Sequence, residues 1–255
     1  MKRQTRQTWI LLAVVAALGL AAIGETVRDR RNAPRPLLAD SAHIDTIALE
    51  CAQCAPRRFQ RVQGRWDMVA PWVVPADPRE IDRLLGLATA PVRRRFAINQ
   101  VDPATLGFVP PFAVVQLGKR RIEFGTTDPI NHARYVRSGD IVAVIADRIS
   151  VVLLEPPERF VDAGPFAGLH NGVVAITEAA ADWPAAQVQA LAALRADEVR
   201  AAAEPLAGRA LLVRDGAGRN HRYLLARDGE RMLLRREEPP LGYVLPLGTT
   251  LPGAR

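Results

Sequence analysis

Residues 112–145 read FAVVQLGKRRIEFGTTDPINHARYVRSGDIVAVI. Apolar and polar residues alternate through most of this stretch, which places one set of side chains on one face of a pleated strand and the other set on the opposite face. The alternation predicts strands at Phe112–Leu117, Arg121–Phe124, Arg134–Arg137 and Ile141–Ile145. Gly118 and Gly139 fall between strands, where tight hairpin turns need a backbone conformation that glycine adopts without cost. The stretch therefore predicts an antiparallel meander.

The same pattern extends outward. On the N-terminal side it predicts strands at Ile44–Leu49, Phe59–Gln63 and Trp66–Val69, with Gly64 at a turn. Asp77 followed by Pro78 forms a helix N-cap with proline at the first position, and Ile81, Leu84, Leu85 and Ala88 then share one face, so a helix is expected to about Ala88. On the C-terminal side, strands are expected at Val173–Thr177, Ala210–Arg214, Arg222–Arg227, Arg231–Arg235 and Tyr243–Leu245. Asp182, Trp183 and Pro184 announce a second, longer helix with Val188, Leu191, Ala192 and Leu194 as its stripe and Pro205 as its end. The fold class read from these elements is α+β, mostly antiparallel hairpins with two main helices. Residues 43–149 and 150–255 each run from strands through a Trp, a Pro and a leucine-containing helix to glycine-turn hairpins, which suggests two similar α+β subdomains.

The N-terminus is of a different kind. Residues 1–8 carry Lys2, Arg3 and Arg6 with no acid, and Trp9–Gly24 (WILLAVVAALGLAAIG) carries no charge. This is a charged n-region followed by an apolar helix former, read as a single-pass transmembrane signal-anchor over residues 9–27. Ala22 and Gly24 also offer a cleavage site, but without an Ala-x-Ala pattern the uncleaved anchor is preferred. Arg28, Arg30, Arg31 and Arg35 nearly balance the positive charges before the segment, while Glu25, Asp29 and Asp40 dilute them. The short basic N-terminus is accordingly placed in the cytoplasm and the folded region in the periplasm of a bacterial inner membrane. Residues 28–42 (RDRRNAPRPLLADSA), with Pro34 and Pro36, read as a tether.

Composition constrains function mainly by exclusion. Hydrophobic residues make up 49% of the 255 and charged residues 24%, so the chain supports a packed core without metal or disulfide staples. The net charge of +7 comes from 34 basic and 27 acidic residues, and Lys2 and Lys119 are the only lysines. The arginines are scattered along strands rather than gathered in a stripe, and aromatic residues reach only 5%, so no nucleic-acid partner is expected. Ser41, Ser138 and Ser150 sit in neither a G-x-S-x-G elbow nor an S-x-x-K pair. His43, His132, His170 and His221 form no HExxH, and no GxxxxGK loop occurs. No catalytic residue, cofactor or metal is assigned. Glu237 and Glu238, which precede Pro239 and Pro240, read as a solvated turn.

Two local features carry chemistry. Cys51 and Cys54 (ECAQCAP) form a C-x-x-C pair with three readings: a local disulfide or two thiols at a strand turn, a redox dithiol, or half of a zinc site with His43 nearby. An oxidising periplasm favours the disulfide. The segment Gly125–Arg137 (GTTDPINHARYVR) gathers Thr126, Thr127, Asp128, Asn131, His132 and Arg134, polar groups able to bind an anion or a peptide end, but Asp128-Pro129 and Asn131 are ordinary turn residues and the turn is the preferred reading.

The order Gly64-Arg65-Trp66, Pro71, Ala76-Asp77, the Leu84-Leu85 helix, Leu106-Gly107-Phe108-Val109-Pro110-Pro111, Phe124-Gly125 and Arg134-Tyr135-Val136-Arg137 resembles the bacterial family known as domain of unknown function 4340. The likeness covers Ile44 to Ile149, and beyond it only the layout is similar. It implies an N-terminal membrane segment and, for some members, a place beside components of ABC-type transport or gliding-motility systems. No catalytic residue follows from it. It implies shape-determining roles for Trp66 in the core, Pro110-Pro111 at a strand entry and Gly125 at a turn; the C-x-x-C pair is outside its pattern. The expected function is a non-catalytic, protein-binding accessory of an envelope or ABC-type transport complex. A periplasmic thiol-redox enzyme using Cys51 and Cys54, and an anionic-lipid-binding protein using Arg28, Arg30 and Arg31, are the alternatives.

Overall fold

The computed structural model describes residues 35–38, 43–129, 132–202, 207–249 and 251. The expected anchor at 9–27, the tether at 28–34 and 39–42, Asn131 and Pro205 lie outside the described residues. Among the described residues, no helix is long and apolar enough to cross a membrane. They form two antiparallel sheets with three α-helices, an α+β fold.

The first sheet has nine strands. Its first four are β1 (Thr46–Cys51), β2 (Arg57–Val62), β3 (Arg65–Ala70) and β4 (Val74–Pro75); helix α1 (Pro78–Leu85) and β5 (Val92–Ala97) follow. The meander then consists of β6 (Ala113–Leu117), β7 (Arg120–Thr127), β8 (Ala133–Ser138) and β9 (Ile141–Ala146). Across the sheet the order is β4-β3-β2-β1-β6-β7-β8-β9-β5. After the short helix α2 (Ser150–Leu154) and a 3-10 turn at Pro157–Phe160, the second sheet contains β10 (Val173–Glu178), β11 (Ala181–Asp182), β12 (Glu198–Ala201), β13 (Gly208–Asp215), β14 (Asn220–Asp228), β15 (Arg231–Arg236) and β16 (Leu241–Val244). Helix α3 (Ala185–Ala193) lies between β11 and β12, and the sheet order is β11-β10-β13-β14-β15-β16-β12.

Both sheets follow one path. A four-strand meander is flanked on its first strand by a strand that precedes the helix (β1 or β10) and on its last by the strand that follows it (β5 or β12). The helix thus carries the chain from one side of the meander to the other. The first sheet adds β3 and β4 to this plan.

Period-two alternation sets the core face, as in Ile47 and Leu49 of β1 and Ile122 and Phe124 of β7. Register aligns these positions: Leu49 is opposite Val115, Val115 opposite Ile122, Ala113 opposite Phe124, and Phe124 opposite Val136. Ile81 and Leu84 of α1 are fully buried in the same hydrophobic cluster, which extends to Ile176, Val213 and Leu234 of the second sheet. The sheets approach through Phe160–Asp162. Asp77 N–H donates to Phe160 O at 2.8 Å, Asp162 N–H to Pro75 O at 2.9 Å, and Ala196 N–H to Ala163 O at 2.8 Å. Residues 150–162, just beyond the expected division at 149/150, therefore pack against the first sheet.

The helices differ in detail from the expectation. Asp77 caps α1 as predicted, accepting from Arg79 N–H at 2.8 Å, but the helix gives way at Gly86 to turns that run through Thr89. Helix α3 stops at Ala193, far short of Pro205, because Leu194 turns extended and Glu198–Ala201 is taken by the edge of the second sheet. Asp182 does not cap it. Its carboxylate accepts from Thr177 Oγ1 at 2.6 Å across the β10–β11 hairpin, and Trp183 Nε1 donates to Glu178 at 3.0 Å. Gly125 lies within β7, not at a turn; a Cβ there would overlap the Leu106 carbonyl oxygen and come within 3.0 Å of the Phe108 ring. Trp66 is only partly buried at the core's margin.

Candidate functional site

The polar segment expected to form a binding loop is divided by the fold. Arg134 points inward from β8, where its guanidinium meets Asp147 at 2.8 Å, donates to Gly125 O at 2.8 Å and lies 5.0 Å from the centre of the Phe112 ring. Asp147 also accepts from Ser150 N–H at 3.2 Å, at the start of α2. Burial alone would raise the Asp147 carboxyl; hydrogen bonds from Ser150 and Arg134, with the latter's charge, hold it below its ordinary value. Asp128 is buried and pairs with Arg94 at 3.3 Å. Thr126 Oγ1 donates to Leu106 O at 3.3 Å, while Thr127 and His132 are exposed. Arg134 and Asp128 thus hold the β7–β8 connection to its neighbours, and the segment does not converge on one outward-facing point.

Cys51 and Cys54 are joined as a disulfide with their Cα atoms 5.3 Å apart. The position is defined by Arg57, whose side chain is 1% exposed. Arg57 occupies an apolar cross-strand row, opposite Leu49 and two strands away from Val115. Its Nη2 donates to Leu153 O at 2.9 Å and lies 3.9 Å from Cys51 Sγ, its Nη1 donates to Glu155 O, and its guanidinium sits 5.6 Å from the centre of the Phe160 ring. No carboxylate pairs with it among the described residues, and burial lowers its pKa from the ordinary arginine value. A guanidinium at the end of α2 supplies donors to carbonyls that a helix C-terminus leaves unsatisfied. The sequence does carry one signal for this residue: Arg57 has the same parity as buried Phe59, which puts it on the core face. No group of three or more His, Cys, Asp or Glu able to hold a metal occurs among the described residues.

Two recesses were not anticipated from the sequence. One, about 760 Å³, lies between the two halves. The start of α1 contributes Asp77, Arg79 and Glu80, the segment after α2 contributes Glu155, Glu158 and Arg159, and the approach to β12 contributes Arg195, Asp197 and Glu198. Its charges are partly compensated: Glu80 pairs with Arg83 at 3.0 Å, Arg195 with Asp162 at 3.3 Å, and Arg231 with Asp197 at 3.2 Å. The other, about 500 Å³, lies at the end of the first sheet where α1 gives way to β5, and its lining includes Leu87, Pro91, Ile145 and Ile149. Both draw on residues distant in sequence, so no contiguous motif announces either.

The chain matches no family model, no curated protein and no solved structure.

Proposed function

We propose that this chain is a membrane-anchored periplasmic protein whose two similar α+β units form a non-catalytic docking module, an accessory to an envelope or ABC-type transport complex. The cleft between the halves carries the reading: acids and arginines from three separate segments line one recess of about 760 Å³. A surface of mixed charge suits a partner protein, where complementary charges select the partner and fix its orientation. The resemblance to domain of unknown function 4340 and the apolar run at Trp9–Gly24 support the envelope setting.

Photocrosslinking in intact membranes tests it. A photoreactive residue at Arg79 or Glu158, in the cleft, is expected to trap one discrete partner, and the same residue at exposed Val174 is not. Monomer alone under several growth conditions, or equal trapping at Val174, removes the proposal.

A thiol-redox role is the second reading, favoured by the 3.9 Å approach of Arg57 Nη2 to Cys51 Sγ. After reduction, a thiolate at Cys51 would be the counterion that the buried guanidinium otherwise lacks among the described residues, and such a neighbour activates a thiol.

A further inference from the structure

We infer that the recess at the β5 end of the first sheet is a binding site for an anionic phospholipid drawn from the membrane surface. The inference rests on the reading of Trp9–Gly24 as a membrane anchor. Leu87, Pro91, Ile145 and Ile149 give the recess an apolar lining, and its volume of about 500 Å³, within the range of ordinary ligand sites of about 300–1,000 Å³, takes one end of a lipid with the rest of its acyl chains left in the bilayer. Arg93 and Arg148 also line it, both are exposed, and neither pairs with a carboxylate among the described residues. An apolar hollow edged by uncompensated guanidinium groups is complementary to a molecule with a hydrocarbon part and a phosphate. Arginine binds phosphate with paired, charge-assisted hydrogen bonds.

The path of the chain says where such a molecule comes from. Residues 35–38 run beside this recess: Leu37 N–H donates to Ala90 O at 3.0 Å, Val92 N–H donates to Arg35 O at 3.2 Å, and Pro36 bridges to Pro91. Arg95 fixes the same segment by donating to the carbonyls of Pro36 and Leu37. Between Gly24 and Arg35 the chain can span at most about 40 Å. The β5 end is therefore tethered within about 40 Å of the apolar run, and Arg93 and Arg95, exposed on the outermost strand and paired with no carboxylate among the described residues, add attraction to anionic headgroups.

The test uses the full chain reconstituted in vesicles of phosphatidylcholine containing phosphatidylglycerol with a photoreactive acyl chain. After irradiation, adducts are mapped by mass spectrometry. Label is expected on the peptides bearing Leu87–Pro91 and Ile145–Ile149 as well as on residues 9–24. In Arg93→Gln/Arg148→Gln, the phosphatidylglycerol content for half-maximal labelling of the recess should rise about tenfold, while labelling of 9–24 stays constant. Arg61→Gln/Arg214→Gln, two exposed arginines elsewhere, should leave both unchanged. Label on 9–24 without label in the recess overturns the site and leaves the anchor standing. Equal labelling by a photoreactive phosphatidylcholine, unmoved by the double substitution, overturns the assignment to an anionic lipid. Label in the recess alone removes the anchor and keeps the ligand chemistry; no label at either place removes both.

Discussion

Arg57 Nη2 donates to Leu153 O at 2.9 Å from within a row of apolar side chains, joining β2 to the last turn of α2 across 96 residues of sequence. An arginine so placed is costly to bury and costlier to remove, because its truncation strands the carbonyls it serves.

Arg57→Ala is therefore expected to destabilise the chain by about 2–4 kcal/mol, the loss of hydrogen bonds from a charged donor with the desolvation of unpaired carbonyls. The check is urea unfolding: the midpoint should fall with the slope unchanged. A midpoint within error of the parent would mean that Leu153 and Glu155 find other donors.

Gly125→Ala and Gly139→Ala separate crowding from backbone strain. At Gly125 the added methyl would strike the Leu106 carbonyl and the Phe108 ring, and a cost of about 1–3 kcal/mol is expected. At Gly139 the space is open but φ is +60°, so about 1–2 kcal/mol is expected from the conformation alone. The distinguishing measurement is structural: amide chemical shifts should move at Leu106–Phe108 for Gly125→Ala and only around the β8–β9 turn for Gly139→Ala.

Asp215 introduces a pH dependence. Burial would raise its carboxyl; hydrogen bonds from His221, from the Arg219 and Ala217 backbone amides and from the Arg219 side chain outweigh that and hold it well below the usual carboxylate range. A carboxyl lower in the folded than in the unfolded state contributes stability that is fully present above the unfolded value of about 3.9 and is lost as pH falls toward the folded value. Thermal midpoints should thus decline from about pH 4 downward, and Asp215→Asn should flatten that decline. Parallel curves for the two proteins would assign the acid sensitivity elsewhere.

The disulfide closes a loop of four residues, so its loop-closure contribution is small, about 2 kcal/mol. Reduction should leave the chain folded, with its circular dichroism intact. In the reduced chain, alkylation of Cys51 at pH 7 should be faster than that of an unperturbed thiol, slowed about tenfold by Arg57→Met and preserved by Arg57→Lys. Equal rates for Met and Lys would remove the guanidinium's charge as the cause and, with it, the thiol-redox reading.

Local pattern was sufficient for the strands of both meanders, the glycine turns and the Asp77 cap of α1, because period-two alternation and capping chemistry are decided within a few residues. It was insufficient for β5 and β12. Val92–Ala97 carries three successive arginines and Glu198–Ala201 is short and follows an alanine-rich helix, and each is a strand because one neighbour, β9 or β16, supplies its hydrogen bonds. The helix end at Ala193 was missed for the same reason: the pull of the sheet edge on 198–201 is a long-range pairing that helical periodicity does not register.

What the sequence by itself determined is the set of faces: which side chains turn inward along each strand, where turns fall, and that Trp9–Gly24 is uniformly apolar. Tertiary structure alone decided which faces meet. It turned Arg134 and Asp128 from candidate ligands into internal ties, placed Arg57 beside Cys51 and α2, and assembled two recesses from segments far apart in the chain. Alternation and caps are properties of neighbours along the backbone, whereas an ion pair or a cavity lining exists only once distant strands have chosen their register.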